Sequence, residues 1–239
     1  MNGPSATPTA LITGAGRRIG LYLVKTLLEQ GYRVYAHYRH SAAELARLQA
    51  DNSLLTPVQA DLLTPTGFTA LCDAVSELTT LDLLVNNASL FYRRDPAVIS
   101  RTDYFAFYQI HVSLPALLTC QLQPQLRSSR GGVVINLLDA RADNFRGGFA
   151  PYGLSRQAAR ALTLLQAGEL EPQLRVYGLE LERLLPESQP GGVEQGVRFD
   201  EEQIHENLVL LRTGLQTLLT RRLPTGEILR IAPRRDRRL

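Results

Sequence analysis

Tyr152 and Arg156 are the two residues of this sequence whose types and spacing suggest acid–base chemistry. Residues four apart on a helix share a face, so the guanidinium of Arg156 would lie beside the phenol of Tyr152. A neighbouring cation stabilises a phenolate, and we therefore expect a lowered pKa that suits Tyr152 to general acid catalysis. Asp139 precedes this pair and follows an apolar stretch. A Tyr-x-x-x-Arg pair is common, however, and alone it does not establish a reaction.

The stretch from Thr13 to Gly20, Thr-Gly-Ala-Gly-Arg-Arg-Ile-Gly, predicts a site for a dinucleotide. It follows the apolar run 10–12, which is typical of a buried strand, and it precedes a helical pattern over residues 21–28. Glycines allow a tight turn close to a pyrophosphate, and amide N–H groups at the helix N-terminus hold its charge. The alternative is an ordinary tight turn. The candidate cofactor residues in this turn are Gly14, Arg17, Arg18, Ile19 and Gly20.

The stretch 37–41, His-Tyr-Arg-His-Ser, favours NADP(H) over NAD(H). A fold that prefers NAD places a carboxylate about 20 residues beyond the glycines, on the ribose 2′-hydroxyl. This stretch has none, and its donors suit a 2′-phosphate, as does Arg17, although each could be an ordinary surface base. Asp61 is expected to accept a hydrogen bond from the adenine amino group. Asn87, Ala88 and Ser89 are expected to lie beside the adenine ribose. The remaining candidates are Arg39, His40, Ser41, Leu62, Asn87, Ala88 and Ser89.

Alternation of strands and helices along the chain predicts an α/β fold. We expect strands at Ala10–Thr13, Arg33–Tyr38, Thr56–Gln59, Leu81–Asn86, Val133–Leu137, Arg175–Leu181 and Glu227–Ile231. One of the intervening helices is predicted to begin at Thr64-Pro65, with threonine as the cap. The pattern predicts a single Rossmann-type, doubly wound parallel sheet of about seven strands with helices on both faces. The domain would span 9–239, with a flexible N-terminus at 1–8 and a mobile substrate loop at 186–200.

Composition narrows the class of protein. The chain has 239 residues with a net charge of +3. It has no apolar run long enough to span a membrane, and its first residues do not have the pattern expected of a secretory signal. Cys72 and Cys120 are expected to be reduced thiols in the core of a cytoplasmic protein, and the four histidines lack metal-ligand spacing. The basic C-terminus is interpreted as a solvated tail or subunit contact, with no sign of nucleic-acid binding.

These features together resemble the short-chain dehydrogenase/reductase family over essentially the whole chain. The closer resemblance is to the pteridine reductase and dihydromonapterin reductase branch. It is carried by the Thr-Gly-x-x-x-Arg-x-Gly turn, the His-Tyr-Arg-His-Ser stretch, Asn86-Asn87-Ala88, and Asp139 where most of the superfamily has serine. His111 occupies a position where many relatives have asparagine.

The resemblance implies an NADPH-dependent reductase of a dihydropterin. Hydride from the nicotinamide and a proton from the tyrosine would together reduce a C=O or C=N bond. Short-chain reductases that act on sugars, quinones or acyl ketones are a further alternative. The resemblance implies that Tyr152 delivers the proton, that Asp139 works with it, and that Phe91 stacks on the pterin ring opposite the nicotinamide. It also implies a homotetramer, with a homodimer as the alternative, and a small pterin-like molecule as substrate.

Arg156 departs from the family pattern, which has lysine at this position. Arginine keeps the charge, but its high pKa makes it a poor proton relay. Lys25 is the only lysine of the chain and is predicted to lie on the outer side of the first helix. The segments Tyr177–Glu182 and 232–234 also depart from the family. A non-catalytic NADP(H)- or pterin-binding protein is therefore the alternative hypothesis, and on the sequence alone Arg156→Lys is expected to raise activity.

Overall fold

A computed structural model describes residues 7–40, 43–129, 131–144, 147–186 and 199–233. Ser41, the arginines after Pro233, and all but the ends of the predicted 186–200 loop therefore lie outside the described residues. The strands are β1 (Thr9–Ile12), β2 (Arg33–Tyr38), β3 (Leu55–Gln59), β4 (Leu83–Asn86), β5 (Val133–Asp139), β6 (Arg175–Leu181) and β7 (Ile228–Ile231). The α-helices are α1 (Arg18–Glu29), α2 (Ala43–Ala50), α3 (Pro65–Asp73), α4 (Arg101–Tyr108), α5 (Leu114–Gln121), α6 (Gln123–Ser128), α7 (Ala150–Leu170) and α8 (Glu201–Thr220).

The seven strands form one sheet in the order β3-β2-β1-β4-β5-β6-β7, and every pair is parallel. This Rossmann-type architecture confirms the predicted fold class. The order reverses between β1 and β4, and a crevice opens at the carboxyl ends of the strands at such a point. The loops after β1, β2, β4 and β5 therefore meet around one crevice.

Side chains from alternate strand positions pack against helices on the two faces of the sheet. On one face, β-strand residues such as Ile12 and Val85 pack with α1 and α8, and on the other Leu11 and Leu84 pack with α3, α5 and α7. Strands buried on both faces are expected to be apolar at successive positions, as 10–12 and 83–85 are. The sheet is thereby fixed from both sides.

Most of the predicted boundaries agree with the structure to within a few residues, and the differences have local causes. Thr64 caps α3 as predicted, because its Oγ1 accepts the N–H of Gly67 at 3.0 Å. β4 begins at Leu83 rather than Leu81. Pro8, assigned to the flexible N-terminus, lies just before β1, and its carbonyl oxygen accepts the N–H of Arg33 at 2.8 Å.

The prediction of two core cysteines was wrong. Cys120 is exposed near the end of α5, and Cys72 is only partly buried; both are free thiols. Their helical patterns were read correctly, but the exposed side of a helix cannot be inferred from an apolar neighbourhood alone. Within the described ranges, no helix has the length and apolar content needed to cross a bilayer.

The helical run from Arg101 to Gln121 is interrupted by a π-helical turn at Gln109–Ser113. Its wider turn holds His111, which is buried with 3% of its surface exposed. Such turns occur frequently at functional sites. Here the turn places an imidazole beneath the crevice.

Candidate functional site

The turn after β1 is held very close to the loop after β4. Gly14 has a φ of +68°, and a Cβ placed on it would lie 2.8 Å from the Cα of Ala88. A Cβ on Gly20 would overlap the carbonyl oxygen of Gly14 and lie 2.6 Å from the side-chain nitrogen of Asn87. Glycine is required at both positions, because the backbone conformation and the space exclude a larger residue.

Hydrogen bonds from Thr13 and Asn87 brace this turn. Thr13 Oγ1 accepts the backbone N–H groups of Asn87 (3.0 Å) and Ala88 (2.9 Å). The side-chain amide of Asn87 donates to the carbonyl oxygens of Thr13 (2.8 Å) and Gly14 (2.9 Å). Asn87 and Ala88, named from the sequence as cofactor contacts, therefore also shape the glycine turn.

His37 contacts the same turn from β2, and the sequence analysis did not assign it to the site. The N–H of Gly14 donates to Nδ1 of His37 at 3.0 Å, and Nε2 of His37 lies 3.0 Å from the carbonyl oxygen of Ala60. Burial lowers the pKa of His37, against the opposing effects of the Ala60 carbonyl and the charge of Asp61. The one available signal was a histidine inside an otherwise apolar strand, and its stretch was interpreted only as a phosphate site.

Arginines lie along the edge of the turn and at the far end of β2. Arg17 and Arg18 are exposed, and Arg18 has a φ of +53°, a left-handed conformation that is strained for a residue with a Cβ. The Nη1 of Arg18 donates to the carbonyl oxygen of Pro186 at 2.6 Å. Arg39 pairs with Asp61 at 2.9 Å, so two of the predicted cofactor residues are in direct contact.

One cleft of about 880 Å³ brings the candidates together. Every catalytic, cofactor and substrate residue named from the sequence lines it, apart from Ser41, which the structure does not describe. Its two halves differ in character. The half near α1 and β2 contains the glycines and Arg17, Arg18 and Arg39, whereas the other contains Phe91, Asp139, Tyr152 and Arg156.

Tyr152 donates its hydroxyl proton to Oδ2 of Asp139 at 2.6 Å. The other carboxylate oxygen of Asp139 accepts the backbone N–H of Arg141 at 2.8 Å, which fixes its orientation. The predicted lowering of the tyrosine pKa was wrong: burial raises the pKa of Tyr152 well above its ordinary value. The charge of Arg156 lowers the pKa but does not offset burial, and the charge of Asp139 raises it further. Tyr152 is therefore protonated at neutral pH and has a proton to donate.

Phe91 forms an aromatic surface beside Tyr152. Its ring stacks on Phe149 with centroids 5.2 Å apart and meets the Tyr152 ring edge-on at 4.9 Å. Phe91 remains 45% exposed although it lines the cleft. The sequence analysis missed Phe149, which directly precedes the helix that contains Tyr152. An exposed flat ring supported from behind suits a planar ligand.

The guanidinium of Arg156 is anchored at two points. Nη1 donates to the carbonyl oxygen of Leu137 at 3.1 Å, and Nη2 donates to Oγ of Ser89 at 2.7 Å. Its Cζ lies 5.3 Å from the centre of the Tyr152 ring. The Nε is buried and has no hydrogen-bond partner within the described part of the chain. Lys25 is exposed on α1, as expected, so no lysine lines the cleft.

His111 lies behind Arg156 and connects two serines. Its Nε2 lies 3.0 Å from Oγ of Ser89, and its Nδ1 lies 2.8 Å from Oγ of Ser155. Burial, followed by the charge of Arg156, holds the pKa of His111 well below its ordinary value, so the imidazole is neutral. The side chains of Ser89, His111 and Ser155 thus form a hydrogen-bonded network without net charge next to Arg156.

The donor set of the cleft fits a dinucleotide and does not indicate a metal. The glycine cradle and the N-terminal end of α1 suit a pyrophosphate, and the two arginines beside them supply positive charge. The orphaned Nε of Arg156 leaves one buried donor in the wall of the cleft. Among the described residues, no three His, Cys, Asp or Glu side chains form a group that could hold a metal ion.

Comparison with known proteins shows that most of the chain is similar to proteins that belong to one family. The model of the family described as short chain dehydrogenase matches residues 8–182. Pteridine reductase 1 of Leishmania tarentolae is 28% identical over 237 residues, which cover 80% of this chain and 82% of that protein. Dihydromonapterin reductase of Klebsiella pneumoniae is 31% identical over 172 residues, 71% of each chain.

A solved structure with the same fold contains a bound dinucleotide. FolM alternative dihydrofolate reductase 1 from Brucella suis, crystallised in complex with NADP, superposes with a TM-score of 0.76 at 25% identity. The match covers 94% of this chain and 93% of that chain. The similarity therefore includes the elements that surround the cleft.

The two buried histidines predict a loss of stability in acid. Their folded pKa values lie below the ordinary value of 6.5, so unfolded chains bind protons that folded chains do not. The free energy of unfolding therefore has its full value above pH 6.5. Below pH 6.5 it decreases, by about 1.4 kcal/mol per pH unit for each histidine. Urea unfolding between pH 7 and pH 5 measures this slope, and His111→Asn should reduce it. His205→Asn, at an exposed position of α8, is the control; an equal effect of both variants would contradict the assignment.

Proposed function

The chain belongs to the short-chain dehydrogenase family, and on that premise we propose that it is an NADPH-dependent reductase of a dihydropterin. The single observation that carries the proposal is the Tyr152–Asp139 hydrogen bond of 2.6 Å beside the exposed ring of Phe91. Relatives named pteridine reductase and dihydromonapterin reductase support the class of substrate.

The cofactor half of the cleft supports NADP(H) as the cofactor. The glycine turn and the start of α1 would hold the pyrophosphate, and Arg39, with His40 nearby, would hold the 2′-phosphate. Asp61 is kept in place by Arg39 and by the N–H of Leu63 at 3.0 Å, next to the expected adenine position. When bound, NADPH supplies a hydride to the carbon of the C=N bond.

The protein's own residues supply the proton and the orientation. Tyr152 donates its hydroxyl proton to the nitrogen of the same C=N bond, which balances the hydride added at carbon. Asp139 orients the phenol and returns a proton from solvent to the phenolate, a role that Arg156 cannot take because its pKa is too high. Phe91, supported by Phe149, holds the flat pterin by stacking. Arg156 contributes its fixed positive charge.

Tyr152→Phe is expected to reduce kcat for pterin reduction by about 100-fold or more, because the proton donor is removed. Asp139→Asn should reduce kcat less, since the phenol can still donate its proton and the variant impairs only its orientation and its reprotonation. The measurement is NADPH oxidation with dihydromonapterin, dihydrobiopterin and dihydrofolate. Tyr108→Phe, at a partly exposed position of α4 outside the cleft, should leave kcat unchanged. Absence of turnover by the unmodified protein with all three pterins would overturn the proposal.

Arg39→Ala is expected to weaken NADPH binding by about 10-fold or more, because a charged contact to the 2′-phosphate is lost and Asp61 is left unpaired. NADH has no 2′-phosphate, so its dissociation constant should change little. Fluorescence titration with both nucleotides measures the difference. Arg212→Ala, on α8 and paired with Glu29, is a matched control because neither of these residues lines the cleft. Equal losses for NADPH and NADH would place Arg39 away from the 2′-phosphate.

A non-catalytic NADP(H)- or pterin-binding protein is the second candidate. The observation that favours it is the engagement of both Nη atoms of Arg156 by Ser89 and Leu137, which leaves no lysine-like proton carrier in the cleft. This candidate predicts tight NADPH binding with no oxidation of the bound cofactor. Turnover that disappears in Tyr152→Phe would exclude it.

Arg156→Lys is now expected to lower kcat/KM by about 10-fold, the reverse of the expectation from sequence. Lysine offers one nitrogen on a shorter side chain where arginine offers two Nη atoms to Ser89 and Leu137, so we expect the charge to be less firmly anchored. Steady-state kinetics with a pterin test this. Arg160→Lys, one turn later on α7, is the matched control. A gain in activity for Arg156→Lys would restore the earlier expectation.

We also propose a homotetramer, with a homodimer as the alternative, and a cytoplasmic location. Exposed apolar side chains on three helices support subunit contacts, namely Phe105 on α4, Leu117 on α5 and Leu165 on α7. Cys72 is a partly buried free thiol and Cys120 is an exposed one, and both are compatible with a reducing compartment.

A further inference from the structure

His37 lines the cofactor half of the cleft, between the glycine turn and the loop after β3. It is buried, with 3% of its surface exposed, and it occupies the second-last position of β2. Its side chain reaches the glycine turn after β1 on one side and Ala60, just after β3, on the other. One imidazole therefore links β2 to the loops that follow its two neighbouring strands, β1 and β3.

The two contacts determine the state of the ring. Gly14 offers a backbone N–H, so Nδ1 of His37 must accept, and Ala60 offers a carbonyl oxygen, so Nε2 must donate. Only the neutral tautomer with its proton on Nε2 satisfies both partners. The backbone carbonyl of His37 also accepts the N–H of Ala15 at 2.6 Å, which adds a third link to the turn.

The hydrogen bond to His37 is donated by Gly14, a residue that its neighbours already confine closely. Gly14 has a positive φ and lies against Ala88, while Asn87 holds its carbonyl oxygen. His37 holds its N–H group from the opposite side. With both backbone polar groups of Gly14 engaged, the turn keeps one orientation.

We propose that His37 is a positioning residue for the cofactor, which holds the glycine turn in its binding conformation through the N–H of Gly14. This rests on the proposed function in one respect, namely that the cleft binds NADP(H). The turn would contact the pyrophosphate that NADPH and NADH share. Loss of the His37 contact should therefore weaken both nucleotides by the same factor, unlike the loss of Arg39.

Two near-isosteric variants separate the two contacts of His37. Asparagine places its amide near the Nδ1 position and can still accept from Gly14, whereas glutamine reaches the Nε2 position and can still donate to Ala60. Phenylalanine keeps the ring and loses both contacts. A role in stability alone would affect asparagine and glutamine similarly, because each retains one hydrogen bond.

Fluorescence titration with NADPH and NADH is the first measurement. His37→Asn should bind both within about threefold of the unmodified protein, and His37→Gln and His37→Phe should bind both at least about tenfold more weakly. Urea unfolding establishes that each variant is folded at the assay temperature. The proposal would be overturned if His37→Gln bound both nucleotides as tightly as the unmodified protein does, while His37→Asn bound them as weakly as His37→Phe.

Hydrogen exchange of the nucleotide-free protein is the second measurement, and it does not depend on any activity. Mass spectrometry of peptides that cover residues 13–17 should show slow exchange in the unmodified protein and His37→Asn, and fast exchange in His37→Gln and His37→Phe. Equal exchange in all four proteins would refute the role of His37 even in an active reductase. The expected exchange pattern without NADPH binding would refute the proposed function and leave the contact to Gly14 established.

Discussion

The close approach of the glycine turn to the loop after β4 is the constraint on which the site depends. Thr13 and Asn87 exchange hydrogen bonds between backbone and side chain across this approach, and the distances leave no space for a Cβ on Gly14. The approach occurs where the strand order reverses, between β1 and β4. The same contact therefore shapes the cofactor half of the cleft and sets Ser89 and Phe91, which follow Asn87, in the other half.

Burial then decides the chemistry of the second half. Tyr152 and His111 are both removed from water. Desolvation outweighs the charge of Arg156 at Tyr152, whereas at His111 the two act in the same direction and both lower the pKa. The result is a protonated phenol and a neutral imidazole, in edge-to-face contact with each other, near a permanently charged guanidinium. Charge is concentrated on Arg156 and Asp139, whose side chains are tied to backbone groups at Leu137 and Arg141. The site therefore offers a proton donor in its resting state.

The sequence predicted the features that depend on local patterns. The seven strands, the Thr64 cap and the gathering of the named residues in one cleft all follow from apolar periodicity and from the parallel topology. It did not predict features that depend on distant contacts. The pKa of Tyr152 depends on how deeply α7 is buried, and the partners of Arg156 and His37 lie in other loops. Exposure of Cys120 likewise depends on which side of α5 meets the sheet.

The position of the only lysine has a practical consequence for chemical modification. Lys25 lies exposed on α1 and does not line the cleft, whereas the cation beside Tyr152 is an arginine. Apart from the amino terminus, reagents that acylate amines have one site of attachment on each chain. A fluorophore or a surface tether attached at Lys25 therefore leaves the side chains that line the cleft unmodified.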